Sequence, residues 1–551
     1  MIDDNELKKI INNLTLEEKI GQLLMENFIG KYEIPDKTKE AIIQGRIGNI
    51  IYFSGCNVES GIQLAKLSTE VHNLFLKTRN KIPPIIAIDQ EGGQLTAIRK
   101  DATITPGNMA IGATKDFNNA YIIGKITGKE LKAMNITMNL APVIDTASNQ
   151  NIPVFDNRFF GDNAEFVGKM GINFIKGCQS QNVATCAKHF PGLSNSLKDT
   201  HNDLNIIDKP MNVLEKNEFL PFKMAVNGGV AAILTNHSLY PFIDKKYPAT
   251  LSKKIINDYL RKKLNFNGVV ISDDLYMKAI IKNYGLEEAA LIALNAGVDI
   301  ILAAVSTETI FNYLLKMVRK WKLSIDTVND ALERILKLKS KYAKNLVSIK
   351  KTLKVLNNKI SIQHSQKIAD KAITVIKNEE RLIPLKIKKY EKICIIQPPI
   401  IRLCMSDTSN LYGGSILKEE IKKRHKNTEE HIIGINPTRD EIDSLHDNVF
   451  ISDVIIACTS NAFKYKKQID MIKMILEFKK MGKKIITVSL RSPGDFILYP
   501  ETKTHIATYG NWGVLMKSFV KILFGEIKSY GRLPVSINSL YKLNFEKGDQ
   551  K

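Results

Sequence analysis

The sequence is poor in cysteine, and the cysteines that it has are far apart. They lie at positions 56, 178, 186, 394, 404 and 458, and no two of them form a C-x-x-C pair. In a chain of 551 residues this spacing is typical of reduced, mostly buried thiols in a cytoplasmic protein. The acidic residues have no His-rich ligand set beside them, so we expect neither a bound metal ion nor another cofactor.

Long hydrophobic runs are also missing. No stretch of about 18 apolar residues occurs, which predicts a protein without a transmembrane helix and without a membrane partner. Residues 1–9 open acidic and polar, and they lack the basic region followed by an apolar region that marks a secretory signal. We therefore expect no export signal.

The net charge of +22 raises the question of nucleic acid binding. The lysines are interspersed with acidic residues, as in the segment 417–425, and no arginine-rich arm or interleaving of aromatic and basic residues occurs. Solvated helix faces account for most of this charge, and we predict no nucleic acid partner. A general attraction for anionic substrates stays open.

What the sequence does have is a regular alternation of short apolar runs and amphipathic helical patterns. A chain of this length predicts more than one domain. About seven such units occupy the first ~340 residues, and they favour parallel βαβ units. A TIM-type (β/α) barrel fits this number better than an open sheet, although a doubly wound sheet would give a similar pattern. The apolar runs are 47–53, 84–88, 137–140, 183–187, 231–235, 268–272 and 297–302.

Ahead of these runs, Thr15 and Glu18 have the spacing of a helical capping box. The apolar residues Ile20, Leu23 and Leu24 follow on one face of the predicted helix. We therefore predict that the chain begins with a helical segment that includes Leu24.

A second alternation begins beyond residue 365. Apolar runs occur at 392–397, 454–458, 484–489 and 504–508, with a helical pattern at 468–476 between two of them. This order predicts a smaller α/β sandwich domain with an open sheet. We predict a barrel domain at 1–345, a linker at 346–365 and the second domain at 366–545.

The stretch 186–201 turns from apolar to polar within a few residues. Lys188 and His189 stand where the run 183–187 stops, and Asp199 and His201 follow on a predicted loop. Ionisable residues at the carboxyl end of a strand are how (β/α) barrels build active sites. The Asp199 carboxylate would raise the pKa of the His201 imidazole, which makes His201 a candidate general acid near neutral pH. Taken alone, the pair would be better explained as part of a surface loop, and it is the rest of the chain that favours a catalytic role.

Asp273 follows directly after the run 268–272. A carboxylate held at the end of a buried strand can act as a nucleophile, a base or a metal ligand. If the strand persists, Asp273 and Asp274 point to opposite faces, which makes a metal ion the weaker choice.

Four further ionisable residues fall after predicted strands or in the loops that follow them. A cluster of a carboxylate, a guanidinium, an ammonium and an imidazole is suited to binding the several hydroxyls of a sugar. Taken singly, each could form a surface salt bridge. The four are Asp89, Arg158, Lys188 and His189.

Several short motifs occur in one order along nearly the whole chain. They are Asp89-Gln-Glu-Gly-Gly93, Ala141-Pro-Val-Ile-Asp145, Asn157-Arg-Phe-Phe-Gly161, Lys188-His-Phe-Pro-Gly192 with Asp199-Thr-His201, Pro248-Ala-Thr-Leu-Ser252, Ile271-Ser-Asp-Asp-Leu275, Ala507-Thr-Tyr-Gly510 and Leu523-Phe-Gly-Glu526 with Gly531-Arg-Leu-Pro-Val535. In this order the chain resembles glycoside hydrolase family 3, specifically its β-N-acetylglucosaminidase branch.

The resemblance implies a role for each candidate residue. Asp273 would be the nucleophile, and a dyad of Asp199 and His201 would replace the usual carboxylic acid/base. The resemblance also implies trimming, inside the cell, of peptidoglycan fragments in which N-acetylglucosamine is linked to muramic acid. The residues that would hold the terminal N-acetylglucosamine are Asp89, Arg158, Lys188 and His189.

Two departures from the family pattern bear on selectivity. The family's loop runs Lys-His-Phe-Pro-Gly-His-Gly-Asp-Thr, whereas here the residues after Gly192 are Leu-Ser-Asn-Ser, at 193–196. The family's Asp-x-Glu-Gly-Gly motif continues as Arg-Val-x-Arg, and the second of these arginines, a sugar contact, is Ala97 here. Arg99 lies two positions further on.

We therefore predict a β-N-acetylhexosaminidase that retains the anomeric configuration, with a small carbohydrate as its substrate. Two alternatives stay open. A histidine acid/base is neutral after it gives up its proton and would not repel phosphate, so phosphorolysis is the first. The second is a sugar-binding protein on an enzyme fold that has lost its activity.

Overall fold

The computed structural model describes residues 3–146, 157–193, 204–402, 407–408 and 415–537. Its first part contains a sheet of eight parallel strands in the order β10-β1-β2-β3-β6-β7-β8-β9, and a short antiparallel pair, β4 and β5, lies outside that sheet. The strands are β1 (Leu24–Glu26), β2 (Asn49–Tyr52), β3 (Ile85–Ile88), β4 (Gln90–Gly92), β5 (Leu95–Thr96), β6 (Met138–Asn139), β7 (Ala184–Phe190), β8 (Ala232–Thr235), β9 (Val269–Ile271) and β10 (Ile301–Ala303).

The sheet closes on itself between its two outer strands. Ile271 at the end of β9 forms a parallel bridge with Ile300, and the Ser272 amide donates to the Ile300 carbonyl at 3.0 Å. Strands β1 and β10 pair in parallel from Leu24 with Ile301 onward. The predicted TIM-type barrel is therefore confirmed, and the carboxyl ends of its strands meet at one mouth.

Helices surround the barrel sheet. The helices of this part are α1 (Asp4–Asn13), α2 (Leu16–Gln22), α3 (Asp36–Ile43), α4 (Gly61–Phe75), α5 (Asn108–Ala113), α6 (Phe117–Ala133), α7 (Ala164–Gln179), α8 (Met211–Lys216), α9 (Phe219–Asn227), α10 (Lys278–Tyr284), α11 (Leu286–Ala296), α12 (Glu308–Arg319) and α13 (Ile325–Tyr342). A π-helical segment, Lys254–Lys263, packs with them.

The start of the barrel differs from its prediction. Thr15 and Glu18 form the predicted capping box at the start of α2, but this helix ends at Gln22. Leu24 is not helical, because it begins β1 and pairs with both β10 and β2. The sheet therefore has one strand more than the seven apolar runs of the sequence.

The second part contains a six-stranded sheet in the order β11-β16-β15-β14-β12-β13. All neighbours pair in parallel except β11, which runs antiparallel to β16. The predicted α/β sandwich with an open sheet is confirmed. The strands are β11 (Thr374–Asn378), β12 (Ile393–Gln397), β13 (Thr428–Ile432), β14 (Val454–Thr459), β15 (Lys484–Ser489) and β16 (Thr504–Ala507). The helices are α16 (Ile416–Lys422), α17 (Arg439–Asp443), α18 (His446–Phe450), α19 (Lys467–Glu477) and α20 (Gly513–Leu523).

Two helices occupy the segment between the sheets, α14 (Ile349–Val355) and α15 (Lys359–Asp370). The first is anchored on the barrel, because the Thr352 hydroxyl donates to the Ala133 carbonyl at 2.6 Å. The second packs against α20 of the second domain as well as against α5 and α6. The domain limits at 345 and 366 stay a prediction, and the intervening segment is helical and packed.

Each sheet has its own apolar core, and α5 joins the second one. Met109, Ala110 and Ala113 on this barrel helix pack with the buried side chains of the second domain, including Trp512. The two domains therefore share buried apolar surface beside the barrel mouth.

Five of the six cysteines lie within the described residues. Four of the cysteines there are buried, Cys56 is half-buried, and all five are free thiols. In the same residues, no helix combines the length and apolarity that a membrane crossing needs.

Candidate active site

The candidate site lies at the barrel mouth, where β3 and β7 end. Asp89 follows β3 directly, and Glu91 lies in β4 immediately after it. Strand β7 is buried along its whole length and continues through Phe190, so Lys188 and His189 belong to the strand rather than following it as the sequence predicted. Strand β6 lies between β3 and β7, and the parallel arrangement of the three strands places these side chains at the same mouth.

Asp89, Glu91 and Lys188 form a buried ionic cluster with Arg158, and these four side chains are called the ionic cluster below. The Lys188 ammonium lies 2.5 Å from Asp89 Oδ1 and 2.6 Å from Glu91 Oε1. The Arg158 guanidinium donates to both Glu91 oxygens, at 2.9 Å from Nε and 2.7 Å from Nη2. This two-pronged geometry is the strong form of an arginine–carboxylate pair.

Burial and charge act against each other in the ionic cluster. Burial alone would raise the pKa of Glu91, but Arg158 and Lys188 outweigh it and lower that pKa to about 2. Burial alone would lower the pKa of Lys188, and the Asp89 and Glu91 carboxylates more than offset it and raise that pKa. Glu91 and Lys188 therefore stay ionised near neutral pH although both are buried.

The ionic cluster is open on one side. The Glu91 and Lys188 side chains are 1% and 4% exposed, whereas Asp89 is 23% and Arg158 15% exposed. Glu91 and Lys188 are thus enclosed, and a ligand at the mouth would meet Asp89 and Arg158 first. Asp89 has a second carboxylate oxygen beyond the one that contacts Lys188, which can accept from a sugar hydroxyl.

His189 is held by Asp145, at the end of the Ala141-Pro-Val-Ile-Asp145 motif. Asp145 Oδ2 lies 2.7 Å from His189 Nδ1, and the same carboxylate accepts from the His189 backbone amide. Its other oxygen accepts from the Leu193 amide at 2.8 Å. Asp145 thus fixes the His189 ring through its Nδ1 and also holds the start of the loop after β7.

Asp273 lies in the loop that follows β9. Its Oδ1 accepts from the Asp274 amide at 2.9 Å. The His237 ring, at the end of β8, contacts the Asp274 carbonyl at 3.1 Å and the Thr250 hydroxyl at 2.9 Å, which steadies this loop.

The neighbouring aspartate has a different environment. The strand ends at Ile271, so the predicted alternation of Asp273 and Asp274 across a strand does not apply. The Asp274 carboxylate accepts the Tyr276 and Ala304 amides, both at 3.1 Å. Asp274 is therefore used to shape the loop.

The Cys186 thiol links Asp273 to the ionic cluster. This thiol is buried inside the barrel, and its burial raises its pKa. Lys188, Asp89 and Asp273 all lie within electrostatic range of it. Asp273 and the ionic cluster thus surround the same part of the barrel mouth.

The structure brings together five of the predicted site residues and leaves two undecided. Asp199 and His201 lie outside the described residues. The motif that supplied Asp89 also contains Glu91, which the sequence reasoning passed over, although a buried carboxylate between two cations is what holds the ionic cluster together. The predicted sites also omitted Asp145, which lies in a quoted motif. The predicted residues that lie together are Asp89, Arg158, Lys188, His189 and Asp273.

Of the two departures from the family pattern, the one at the Gly-Gly motif lies wholly within the described residues. Ala97 is buried, with 7% of its surface exposed. The Arg99 guanidinium donates to the Thr408 carbonyl of the second domain at 2.6 Å. Arg99 is therefore used in a contact between the domains.

Within the described residues, no group of three or more histidine, cysteine, aspartate or glutamate side chains is arranged to hold a metal ion. The chemistry that the described site supports is acid, base and nucleophilic chemistry on a polar, hydroxyl-rich ligand.

Comparison with known proteins identifies the family. Residues 15–338 match the glycosyl hydrolase family 3 N-terminal domain. The beta-hexosaminidase A of Pseudoalteromonas piscicida is 26% identical over 600 aligned positions, which cover 95% of this chain and 97% of that protein. A beta-hexosaminidase of Nitrosomonas eutropha is 32% identical over 290 positions, covering 51% of this chain and 80% of that protein.

A solved structure extends the similarity to both domains. The glycoside hydrolase family 3 beta-N-acetylglucosaminidase of Paenibacillus sp. str. FPU-7 superposes with a TM-score of 0.88 at 32% identity, covering 95% of this chain and 99% of that one. The barrel, the sandwich and their order are thus shared with a family member. The chain belongs to glycosyl hydrolase family 3 and is a glycoside hydrolase.

Proposed function

We propose that this protein hydrolyses terminal, non-reducing β-linked N-acetylglucosamine with retention of the anomeric configuration. One observation carries the proposal, which is the buried ionic cluster with Asp273 on the same barrel mouth. The names of the similar beta-hexosaminidases and of the similar beta-N-acetylglucosaminidase support the choice of sugar.

In the proposed mechanism Asp273 is the nucleophile. Its carboxylate attacks the anomeric carbon while His201, oriented by Asp199, donates a proton to the departing glycosidic oxygen. The bond to the leaving group breaks with its electron pair on that oxygen, and an ester between the sugar and Asp273 forms. His201 then takes a proton from water, the water oxygen displaces Asp273, and the two inversions restore the β configuration.

The loop contacts favour Asp273 over Asp274 as this nucleophile. Both Asp274 contacts with Tyr276 and Ala304 run to one oxygen of its carboxylate and tie the side chain to the backbone. Asp273 Oδ1 accepts its neighbour's amide, and a hydrogen bond of this kind stabilises the ionised carboxylate that the attack requires.

The proposed sugar contacts follow from exposure and pairing. Asp89 accepts from sugar hydroxyls, and Arg158 donates to them from the edge of the ionic cluster. Lys188 holds Asp89 in place, and His189 contacts the sugar through Nε2, since Asp145 engages its Nδ1. A sugar that completes these bonds is favoured, because each buried polar group left without a partner costs about 1–3 kcal/mol.

We further propose that the natural substrates are N-acetylglucosamine-containing fragments of peptidoglycan and that the protein acts in the cytoplasm. Support comes from the family resemblance and from free, mostly buried cysteines, which are typical of a reducing compartment. Incubation of defined N-acetylglucosaminyl muropeptides with the protein, followed by mass spectrometry, tests this step. Release of N-acetylglucosamine from chitin oligomers but from no muropeptide would contradict it.

Turnover of an aryl β-N-acetylglucosaminide, measured with and without phosphate, tests the central proposal. We expect free N-acetylglucosamine in both cases. A sugar 1-phosphate that forms only when phosphate is present would instead identify a phosphorylase. Binding of N-acetylglucosamine without turnover would identify a sugar-binding protein, and a preference for a plain β-glucoside would overturn the substrate.

The acid/base role of His201 has its own test. His201→Ala should impair substrates with poor leaving groups far more than activated aryl glycosides, which need little protonation. Asp199→Asn should move the alkaline limb of the pH profile to lower pH, since the carboxylate raises the pKa of the imidazolium. An unchanged dependence on the leaving group in His201→Ala would remove His201 from this role.

A further inference from the structure

The second domain holds the segment that carries the Gly-Gly motif. Thr408, from the loop that follows β12, donates to the Gln94 carbonyl from both its amide at 2.9 Å and its hydroxyl at 2.7 Å. The Thr96 amide donates back to the Thr408 hydroxyl at 3.1 Å. Thr408 of the second domain thus bonds to the backbone of Gln94 and Thr96 in the barrel domain. Gln94 lies three residues after Glu91 in the sequence.

Arg491 reinforces this contact from the end of β15. Its guanidinium lies 2.6 Å from the Asp407 carboxylate and also donates to the Gln94 side chain. The Arg491 and Asp407 side chains are 5% and 0% exposed, so this ion pair is buried between the domains. A buried ion pair is a weak source of net stability, and a positional role is its better-attested use.

Two more contacts bind the same region to the second domain. A Cβ atom placed on Gly93, where φ is +64°, would lie 2.9 Å from the Trp512 ring, so the motif packs closely against that indole. On the other side of the ionic cluster, the Asn157 side chain donates to the Tyr509 carbonyl at 2.9 Å. Asn157 directly precedes Arg158.

We propose that the second domain positions the sugar-binding cluster, and that Arg491 is a positioning residue for the reaction. Glu91 and Arg158 form the centre of the ionic cluster, and each is close in sequence to a residue that the second domain holds, Gln94 and Asn157 respectively. This inference rests on the proposed function, since it assigns the second domain a part in binding the sugar.

The second domain adds partners to a segment that the barrel sheet itself does not include. Strands β4 and β5 pair with each other and are outside the barrel sheet. Arg99 is the next cation along the chain, and its guanidinium is bound to the Thr408 carbonyl. In the described residues the 93–99 segment thus has a second-domain partner at Gly93, Gln94, Thr96 and Arg99.

Arg491→Met in the full chain tests the proposal. We expect the KM for an aryl β-N-acetylglucosaminide to rise about tenfold or more, with a smaller fall in kcat, because misplacing the ionic cluster weakens binding before it alters the nucleophile. Arg491→Lys should recover part of the loss. The matched control is Arg424→Met, which removes an arginine paired with Glu420 and Glu526 within the second domain.

A second readout is independent of activity. The chain has two tryptophans, and Trp321 is 90% exposed whereas Trp512 is 1% exposed against the motif. In a Trp321→Phe background the fluorescence reports Trp512 alone. We expect acrylamide quenching to rise in Arg491→Met and to stay unchanged in Arg424→Met.

Thr408→Val keeps the test decisive if Arg491→Met does not fold. This variant is close in shape and removes the hydroxyl bond to the Gln94 carbonyl, so it should raise the KM and the quenching in the same direction. Folded variants whose KM and quenching equal those of Arg424→Met would overturn the positioning role. A wild-type protein without activity on any β-N-acetylglucosaminide would overturn the proposed function instead, while the quenching comparison still decides whether Arg491 holds the motif.

Discussion

Two lysines are buried in the barrel, one at each end, and their partners differ. Lys188 lies at the carboxyl end of β7 between the Asp89 and Glu91 carboxylates, which raise its pKa against the effect of burial. Lys339 on α13 lies beneath the amino ends of β1 and β2, where it donates to the Gln22 side chain at 2.6 Å and to the Gly48 carbonyl at 2.8 Å. Burial lowers the pKa of Lys339 well below its usual range.

The comparison separates a buried lysine whose pKa its partners raise from one whose pKa burial lowers. A buried charge needs an opposite charge and good hydrogen bonds, and the partners of Lys188 supply both. Lys339 has neutral oxygen acceptors, which suit an uncharged amine or a charge stabilised by dipoles. Burial alone therefore does not mark a functional site, whereas a paired charge at the barrel mouth does.

The largest effect on turnover is expected at the carboxyl end from Asp273→Asn. Loss of the nucleophile should reduce kcat at least about a thousandfold and leave the melting temperature nearly unchanged. Asp274→Asn is the matched control. Compared with Asp273→Asn, it should lower the melting temperature more and kcat less, because Asp274 shapes the loop through two amides. Peptide mapping after reaction with a 5-fluoro N-acetylglucosaminyl donor should find the label on Asp273. A label on Asp274 or Asp145 would assign the nucleophile elsewhere.

The next effect tests the two lysines directly. Lys188→Met leaves Glu91 and Asp89 with one cation fewer in a buried site, so we expect loss of sugar binding together with destabilisation of about 3–5 kcal/mol. Lys339→Met replaces a buried amine far from the mouth with an apolar group of similar length and should keep the kinetic constants of the wild type. Chemical denaturation and steady-state kinetics of both variants measure the difference.

Equal kinetic losses in the two methionine variants would break the comparison, because the effect would then come from burial and not from position. A Lys188→Met protein that keeps wild-type KM would show that the ionic cluster has no part in binding.

The sequence predicted the barrel because most of its strands are short, fully apolar runs followed by polar residues, as at 183–187 and 268–272. Strand β1 was missed because Leu24 continues the helical spacing set by Ile20 and Leu23. What ends the helix there is pairing with β2 and β10, which are distant in sequence. Local periodicity carries no information on such pairing.

Sequence reasoning could predict only those site residues whose type and position indicate a chemical role by themselves. Asp89 and Lys188 stand out because each follows an apolar run, but Glu91 falls inside a Gly-rich motif and looks like a solvated turn residue. Its importance comes from Arg158, which is 67 residues away in sequence and joins it in a two-pronged pair. The contacts of Arg491 with Gln94 cross 397 residues and could not be read from any local pattern.

A smaller effect is expected from Asp145→Asn, which keeps the shape but removes the charge beside His189. We expect kcat/KM to fall about ten- to a hundredfold, because the ring loses the partner that sets its orientation and tautomer. Asp244→Asn is the control, since Asp244 is also a buried loop aspartate that accepts two backbone amides, those of Lys246 and Tyr247. If both variants lose activity equally, a general loosening of the loops explains the result and the role of Asp145 fails.

The smallest effect on turnover is expected from a buried carboxyl in the second domain, Asp495. Burial raises its pKa to about 7, and its partners are the Thr459 hydroxyl at 2.9 Å and the Ala462 amide at 2.9 Å. Burial thus favours the neutral form of Asp495, as it does for Lys339, whereas the partners of Glu91 favour its charged form. Asp495→Asn preserves the shape of the neutral acid, so we expect unchanged kinetic constants.

The pH dependence of stability is where Asp495→Asn should differ from the wild type. The folded pKa lies above the usual value of about 4 for an unfolded aspartate, so between about pH 4 and 7 the folded state binds more protons. Stability of the wild type therefore falls across this range by up to about 1.4 kcal/mol for each pH unit, and it levels off above about pH 7. The asparagine side chain does not titrate, so the stability of the variant relative to the wild type should increase as the pH rises from 5 to 8. Melting temperatures at these two pH values measure this gain, and a difference between the proteins that does not change with pH would mean that Asp495 is ionised in the folded state.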